Sequence, residues 1–197
     1  SDGGFRIASN GALQPATSVG GVSDALEDLG STAGRWRDLY ISGGVVFGTG
    51  GPSPITSNTL DDYEEGTWTP EIADATSGGN VGSATVSYAN YTKIGNKVTI
   101  AAQLLNINTT GMTAGAILFA RGLPYSSATQ IAYGACLPDN VTFQSTRTGM
   151  VVQVSVGDTW ATFQQYGSGI TDTGIDVGDL NSGTADIIWS ITYLTNQ

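Results

Sequence analysis

Residues 87–104 read SYANYTKIGNKVTIAAQL, two strand-prone runs separated by Gly95-Asn96. Val98, Ile100, Ala102 and Leu104 alternate with Thr99, Ala101 and Gln103. Strict alternation is the signature of a half-buried strand, because successive side chains of an extended backbone point to opposite faces. Gly-Asn supplies the positive φ that a two-residue hairpin needs. Leu105 and Ile107 then fall out of phase, which predicts a bulge near Leu104.

The same period recurs toward the carboxy end. Met150, Val152, Val154 and Val156 share one face, against Val151, Gln153 and Ser155. Ile187, Trp189, Ile191 and Tyr193 share another, with Ser190 and Thr192 opposite. A second hairpin is predicted at Val156-Gly157-Asp158-Thr159. Strand-like runs cover Thr67–Ile72, Ala84–Lys93, Lys97–Ile107, Ala116–Ala120, Gln130–Leu137, Thr148–Val156, Thr159–Tyr166 and Ala185–Leu194. Gly, Asn, Asp, Ser and Pro separate them. The expectation is an antiparallel β-sandwich, jelly-roll-like, over residues 71–197, long enough to bury a core.

Composition agrees. Only 12% of residues are charged, against about 25% in an average chain, and 28 of 197 residues are Gly. Gly and β-branched residues are poor helix formers, so the whole chain reads as all-β. The net charge of −10 leaves no basic stripe to neutralise phosphates, which argues against nucleic acid and anionic membrane partners. Residues 1–74 hold 11 acids and 3 bases; residues 75–197 hold 6 acids and 4 bases. The near-neutral second part suits an uncharged or weakly charged ligand such as a glycan. With no His in the chain, the usual general base of Ser and Cys hydrolases and the commonest zinc ligand are missing. The one cysteine, Cys136, reads as a small buried hydrophobe on a strand. No apolar run approaches the ~18 residues of a membrane span. Gly43–Gly51 lacks the Lys-Ser/Thr of a phosphate loop. No cofactor is expected.

The first 60 residues differ. Short strand-like fragments (Phe5–Ala8, Leu39–Ile41, Val45–Phe47) are separated by Gly, with about two helical turns predicted over Val22–Leu29. Nothing here can bury a core alone, and such segments need staples, metals or oligomerisation. Disulfides and ligand clusters are ruled out, so oligomerisation remains. Three chains would pool Leu29, Trp36, Leu39, Tyr40, Val45 and Phe47 along a common axis. The opening SDGGFRIASNG lacks an initiator Met, and the chain is expected to be the carboxy-terminal part of a longer polypeptide. Pro52 and Pro54 begin a linker that ends in the acids Asp61, Asp62, Glu64 and Glu65 around Tyr63. The acids are expected to lie in a solvated turn, with Tyr63 packed on a neighbouring chain.

LGSTAGRWRDLYISGGVVFGTGG (29–51) followed by LDDYEEGTWTP (60–70) resembles a recurring segment of bacteriophage tail fibres and related receptor-binding proteins. YTKIGNKVTI (91–100) and Gly122–Tyr125 resemble strands of the distal β-domain of the same group. The resemblance implies a homotrimeric virion protein: a shaft over 1–60, a junction over 61–70 where Trp68 and Pro70 seat the tip and Trp68 is expected to face a sister chain, and a tip over 71–197 that touches the host bacterium. It implies attachment to a surface glycan or outer-membrane receptor, alongside other tail or spike proteins, and no enzymatic activity. Two rivals stand beside it: a virion decoration protein without a receptor, and a polysaccharide-degrading tail spike.

Sugar-binding sites combine exposed rings with amide and hydroxyl groups. In the tip the candidates are Trp160, Tyr166, Tyr133 and Tyr125, with Gln164, Gln165 and Asn140. Trp189 belongs in the core. Asp172, Asp176 and Asp179 lie in a Gly-rich loop and could offer oxygen ligands to Ca²⁺, but their spacing does not match an EF-hand; no metal is expected, and a solvated turn is the preferred reading.

Overall fold

The computed structural model describes residues 4–16, 29, 32–34, 36–40, 45–46, 59–60 and 62–196. Among these the protein is all-β, with fourteen strands and a short 3-10 helix at Val177–Asp179. The chain divides into two compact units, Ser1–Ser42 and Gly43–Gln197.

In the first unit β1 (Gly4–Ile7) and β2 (Leu13–Ala16) form an antiparallel hairpin, from Gly4 opposite Ala16 to Ile7 opposite Leu13. The Ala8 N–H donates to Ala12 O at 2.8 Å, and Gly11 makes the turn at φ 80°. Asn10 Oδ1 accepts from the Ala12 N–H at 3.1 Å. Phe5, Ile7 and Leu13 remain exposed on this ribbon. A two-stranded ribbon with an uncovered apolar face is marginal in water. Apart from Leu29, the helix expected over Val22–Leu29 lies outside the described residues, as does Phe47. Leu39 and Tyr40, expected in a strand, have irregular backbone.

In the second unit β3 (Val45–Val46) pairs with β4 (Thr59–Leu60). The rest is one antiparallel sheet built from β5 (Tyr63–Thr67), β6 (Glu71–Ala73), β7 (Ser83–Ile94), β8 (Lys97–Asn108), β9 (Phe119–Arg121), β10 (Ala132–Asp139), β11 (Gly149–Val154), β12 (Trp160–Tyr166), β13 (Thr173–Gly174) and β14 (Ala185–Leu194). The order is β5-β7-β8-β14-β10-β11-β12-β9-β6, with β13 on β12. The ladder is continuous; no break divides it into two sheets.

The two ends of this ladder are β5 and β6, and only Trp68-Thr69-Pro70 separate them in sequence. A connection that short spans at most about 14 Å. Gly82 N–H donates to Ile72 O at 2.9 Å, and Ala73 bridges Val81, tying β6 to the residues that lead into β7. The sheet therefore curls until its ends meet, and its concave face encloses the core. The segment read from sequence as a separate junction, 61–70, is part of this closure: β5 is the outermost strand of the ladder. The single strand expected over Thr67–Ile72 is split because Pro70 and Trp68 turn the chain from one edge to the other.

Alternation places the core as the sequence predicts. Val98, Ile100, Ala102 and Leu104 of β8, Ile187, Trp189, Ile191 and Tyr193 of β14, and Met150, Val152 and Val154 of β11 are all buried. Ala161 and Phe163 of β12 complete the inner layer. The bulge predicted near Leu104 falls at Leu105-Asn106: Asn106 adopts φ 53°, and the β14 register slips between Ala185 and Ile187. The first hairpin has the predicted Gly95-Asn96 loop, with Gly95 at φ 57°. The second does not. Its turn is Ser155–Asp158, closed by Asp158 N–H to Ser155 O at 3.1 Å with Gly157 at φ 82°. Val156 thus sits in the turn and is exposed rather than buried. The strand expected at Ala116–Ala120 is shifted to β9, with Ile117 making an isolated bridge to Asp176.

Trp68 is 8% exposed and meets the Trp189 ring edge-on, centroids 5.7 Å apart; Trp189 meets Phe163 in turn at 5.9 Å. The expectation that Trp68 faces a sister chain is corrected: its ring is already used in the core of its own chain, at the seam where the sheet ends meet.

Candidate functional site

Pleating directs the residues between the core positions outward. Across β10, β11, β12 and β9 the outward residues Tyr133, Gln153, Thr162 and Phe119 stand directly opposite one another. Neighbouring strands are about 4.8 Å apart, so Tyr133 and Phe119 are separated by roughly 14 Å. A ring thus lies at each end, with an amide and a hydroxyl between. Gln153 Nε2 donates to the Tyr133 hydroxyl at 3.4 Å, and Gln164 Nε2 to Thr162 Oγ1 at 3.3 Å. Trp160, half-buried, presents its ring edge-on to Phe119 at 6.5 Å. Tyr133 is 56% exposed. None of these side chains is charged. Rings offer flat apolar platforms, and amides and hydroxyls exchange hydrogen bonds; together they suit a neutral, hydroxyl-rich ligand.

Four of the sequence candidates share this convex face: Tyr133, Trp160, Gln164 and Tyr166. Tyr166 ends β12, its ring laid where a Cβ on Gly149 would stand. The other three lie elsewhere. Asn140 is a turn residue at φ 53°, its side-chain Nδ2 donating to Thr184 O at 3.1 Å and its backbone carbonyl accepting from Asn181 N–H at 3.0 Å. Tyr125 is engaged inside the chain, its hydroxyl donating to Glu64 and its backbone oxygen accepting from Tyr193. Gln165 points inward and is fully buried, accepting from Gln144 N–H at 2.9 Å. Gln153, Thr162 and Phe119 were missed by sequence reasoning. The signal for Gln153 was present, since it lies between the inward Val152 and Val154.

The acid string before the closure is sorted by the same alternation. Glu64 accepts hydrogen bonds from the hydroxyls of Tyr91 and Tyr125, and Asp62 pairs with Lys93. Lys93 is only 2% exposed, and its ammonium lies 5.4 Å from the centre of the Tyr125 ring. Tyr193 donates to Tyr125 O at 2.8 Å. Tyr63 and Glu65 turn away, with the Tyr63 hydroxyl donating to Glu65 at 2.6 Å. The expected solvated turn is therefore a fastening of β5 onto β7. The Tyr125 and then the Tyr91 hydroxyl bonds hold the Glu64 carboxyl below its ordinary range. Conversely, the bond to Glu64, aided by burial, raises both phenols. A general acid requires the opposite shift.

The loop acids are not assembled into a cation site. Asp179 Oδ2 accepts from Asp176 N–H at 3.0 Å and Gln165 Nε2 at 3.3 Å. Burial, then the neighbouring Asp179, raises the Asp176 carboxyl. Among the described residues no group of three or more His, Cys, Asp or Glu side chains converges to hold a metal, and Asp172 does not join the other two. Cys136 is half-buried on β10, its thiol pushed up to about 12 by burial.

The other half of the convex face, across β7, β8, β14 and β10, holds a shallow trough of about 260 Å³. Ala101, Ser190 and Ala135 form its floor, and Tyr88, Ile188 and Leu137 one wall.

Of the expected inter-chain residues, Leu29, Trp36, Leu39, Tyr40 and Tyr63 are exposed, and Val45 is half-buried opposite Leu60. Scanned against models of protein families, the chain matches none, and searches of curated proteins and of solved structures return no match.

Proposed function

We propose that this chain is the distal part of a phage tail fibre or spike, a homotrimer whose leading segment forms a shared shaft and whose curled β-domain attaches the virion to a bacterial surface glycan. The observation that carries the reading is the set of apolar side chains left uncovered in the first unit: Phe5, Ile7, Leu13, Trp36, Leu39 and Tyr40. Exposing so many on so little chain is costly unless sister copies cover them. The uncharged band from Tyr133 to Phe119 supplies the ligand face. Three such bands on one rigid particle give avidity from individually weak sites. The chain is not an enzyme on this reading.

The test is binding of the labelled full chain to bacterial cells, with competition by their isolated surface polysaccharides. Binding that a polysaccharide competes away, and that Tyr133→Ala weakens at least tenfold, is expected. A monomeric mass by light scattering, or no binding to any cell type, sinks the reading. Shortened polysaccharide after incubation would favour the degrading-spike rival instead.

A further inference from the structure

We infer that the convex face of β7, β8, β14 and β10 is turned toward the axis of the assembly, where it meets the same face of sister copies. The inference rests on the trimeric reading above and identifies the surface that the β-domain contributes to it. At a rotation axis every residue meets its own equivalent, so a charge there meets like charge in low dielectric. Only an uncharged face can stand at the axis of a chain whose net charge is −10.

This face meets the requirement over three successive cross-strand rows. Thr92, Thr99 and Thr192 form one, with Thr99 and Thr192 hydroxyls 2.9 Å apart. Asn90, Ala101, Ser190 and Ala135 form the second, the floor of the trough. Tyr88, Gln103, Ile188 and Leu137 form the third. No residue of the three rows is charged. Charge returns only beyond the three rows: at Asp139 opposite Asp186 past Leu137, at Lys97 between Ile94 and Leu194 past Thr99, and at Glu65 on β5 beside Thr92.

The relief fits the same role. Leu137 is 66% exposed, the largest apolar protrusion of the patch, and it stands beside a recess of alanines and a serine. An exposed leucine next to a floor of small side chains lets neighbouring copies interleave. The band from Tyr133 to Phe119, on the far side of β10, then faces away from the axis and stays open to ligand.

The test uses the full chain with Leu137→Asp and Leu137→Lys, assembly being followed by sedimentation velocity over a dilution series. Leu137 is exposed, so folding should be retained; unchanged far- and near-ultraviolet circular dichroism checks it. Each variant alone is expected to need at least tenfold higher concentration to assemble. A mixture of the two should assemble better than either, because opposite charges then meet at the axis. Val156→Asp, on an exposed turn, should assemble like the unmodified chain. Unimpaired assembly of both Leu137 variants overturns the inference. Weakening without rescue by mixing also overturns it, because Leu137 would then meet a different surface. A monomeric unmodified chain would instead overturn the trimeric reading itself.

Discussion

Trp68→Ala separates a core role from an interface role at the residue where the sheet closes. The indole is 8% exposed and contacts Trp189 edge-on. Truncating a buried Trp to Ala costs about 3–5 kcal/mol from lost transfer energy and the cavity left behind. That is a large share of the 5–15 kcal/mol typical of a folded domain, and near the melting point it corresponds to roughly 10 °C for a chain of this length. The Trp68 Nε1 and Trp189 Nε1 groups are buried without a hydrogen-bond partner. Trp68→Phe therefore removes no hydrogen bond and forfeits only part of the ring area, about 1–2 kcal/mol. Urea unfolding followed by circular dichroism, for the unmodified chain and both variants at two concentrations tenfold apart, measures the losses. The expected result is a large loss for Ala, a small one for Phe, and the same differences at both concentrations. A loss under about 1 kcal/mol for Trp68→Ala, or one that grows on dilution, would refute the core assignment and return Trp68 to an interface between copies.

The Asp62–Lys93 pair should be asymmetric. Removing the acid strands a lysine 2% exposed, at about 1–3 kcal/mol once the part exposure of Asp62 is allowed for, whereas Lys93→Met leaves an aspartate that water can reach. Chemical denaturation should thus rank Asp62→Asn below Lys93→Met, and the reverse order would defeat the argument. Glu64 and Asp74 have carboxyls held below their ordinary values, Glu64 by the Tyr125 and Tyr91 hydroxyls, Asp74 by the Asn80 amide and then the Thr113 and Asn80 N–H groups. Groups with a depressed folded value contribute stability above the unfolded value, 4.5 for Glu64, and lose it as the pH falls below that. Glu64→Gln should flatten the acid limb of a stability–pH profile, and an unchanged limb would count against the fastening. Burial pushes the Tyr193 phenol up to about 12. The folded state then keeps it neutral while the unfolded chain ionises above 10, so stability should fall between pH 10 and 12. A phenolate absorbance titration in which all tyrosines ionise before unfolding begins would contradict this. Gly134→Ala would place a Cβ 2.1 Å from Ser190 O, a backbone atom. It should cost about 1–3 kcal/mol or more by parting β10 from β14; a neutral result would mean the strands are farther apart than described.

What was legible in the sequence is what period two controls. The inward residues of β8 and β14, and those of β11 up to Val154, followed from alternation alone, and so did the bulge, because Ile107 cannot return to the core face without an extra residue. Boundaries set by turn chemistry were less legible. Gly157-Asp158 suits a two-residue loop, but the Asp158 carboxylate accepts the Ser155 N–H at 3.2 Å and favours a turn one residue earlier, which exposes Val156. Closure was not legible, because it depends on which strands become the ends of the ladder, and that order is a long-range property with no local signal. The roles of Trp68, Glu64 and Tyr125 were misplaced for this one reason.

Closure also determines what the outside of the domain can do. Once the sheet ends meet, the inner face is committed to packing, and the convex face is left to make contacts with other molecules. Its outward residues divide at β10. On one side small residues and Leu137 make an apolar relief; on the other Gln153, Thr162 and Gln164 stand among rings. A strand shared by two such faces keeps its alternation but uses its outward positions differently along its length. Tyr133 belongs with the polar band through Gln153, while Ala135 and Leu137 belong with the trough through Ser190 and Ile188. The division predicts opposite phenotypes two residues apart: a charge at Leu137 should impair assembly, while loss of the ring at Tyr133 should impair ligand binding and leave the assembled mass unchanged. If both substitutions impaired assembly alike, the convex face would be one continuous interface, and the site from Tyr133 to Phe119 would have to be abandoned.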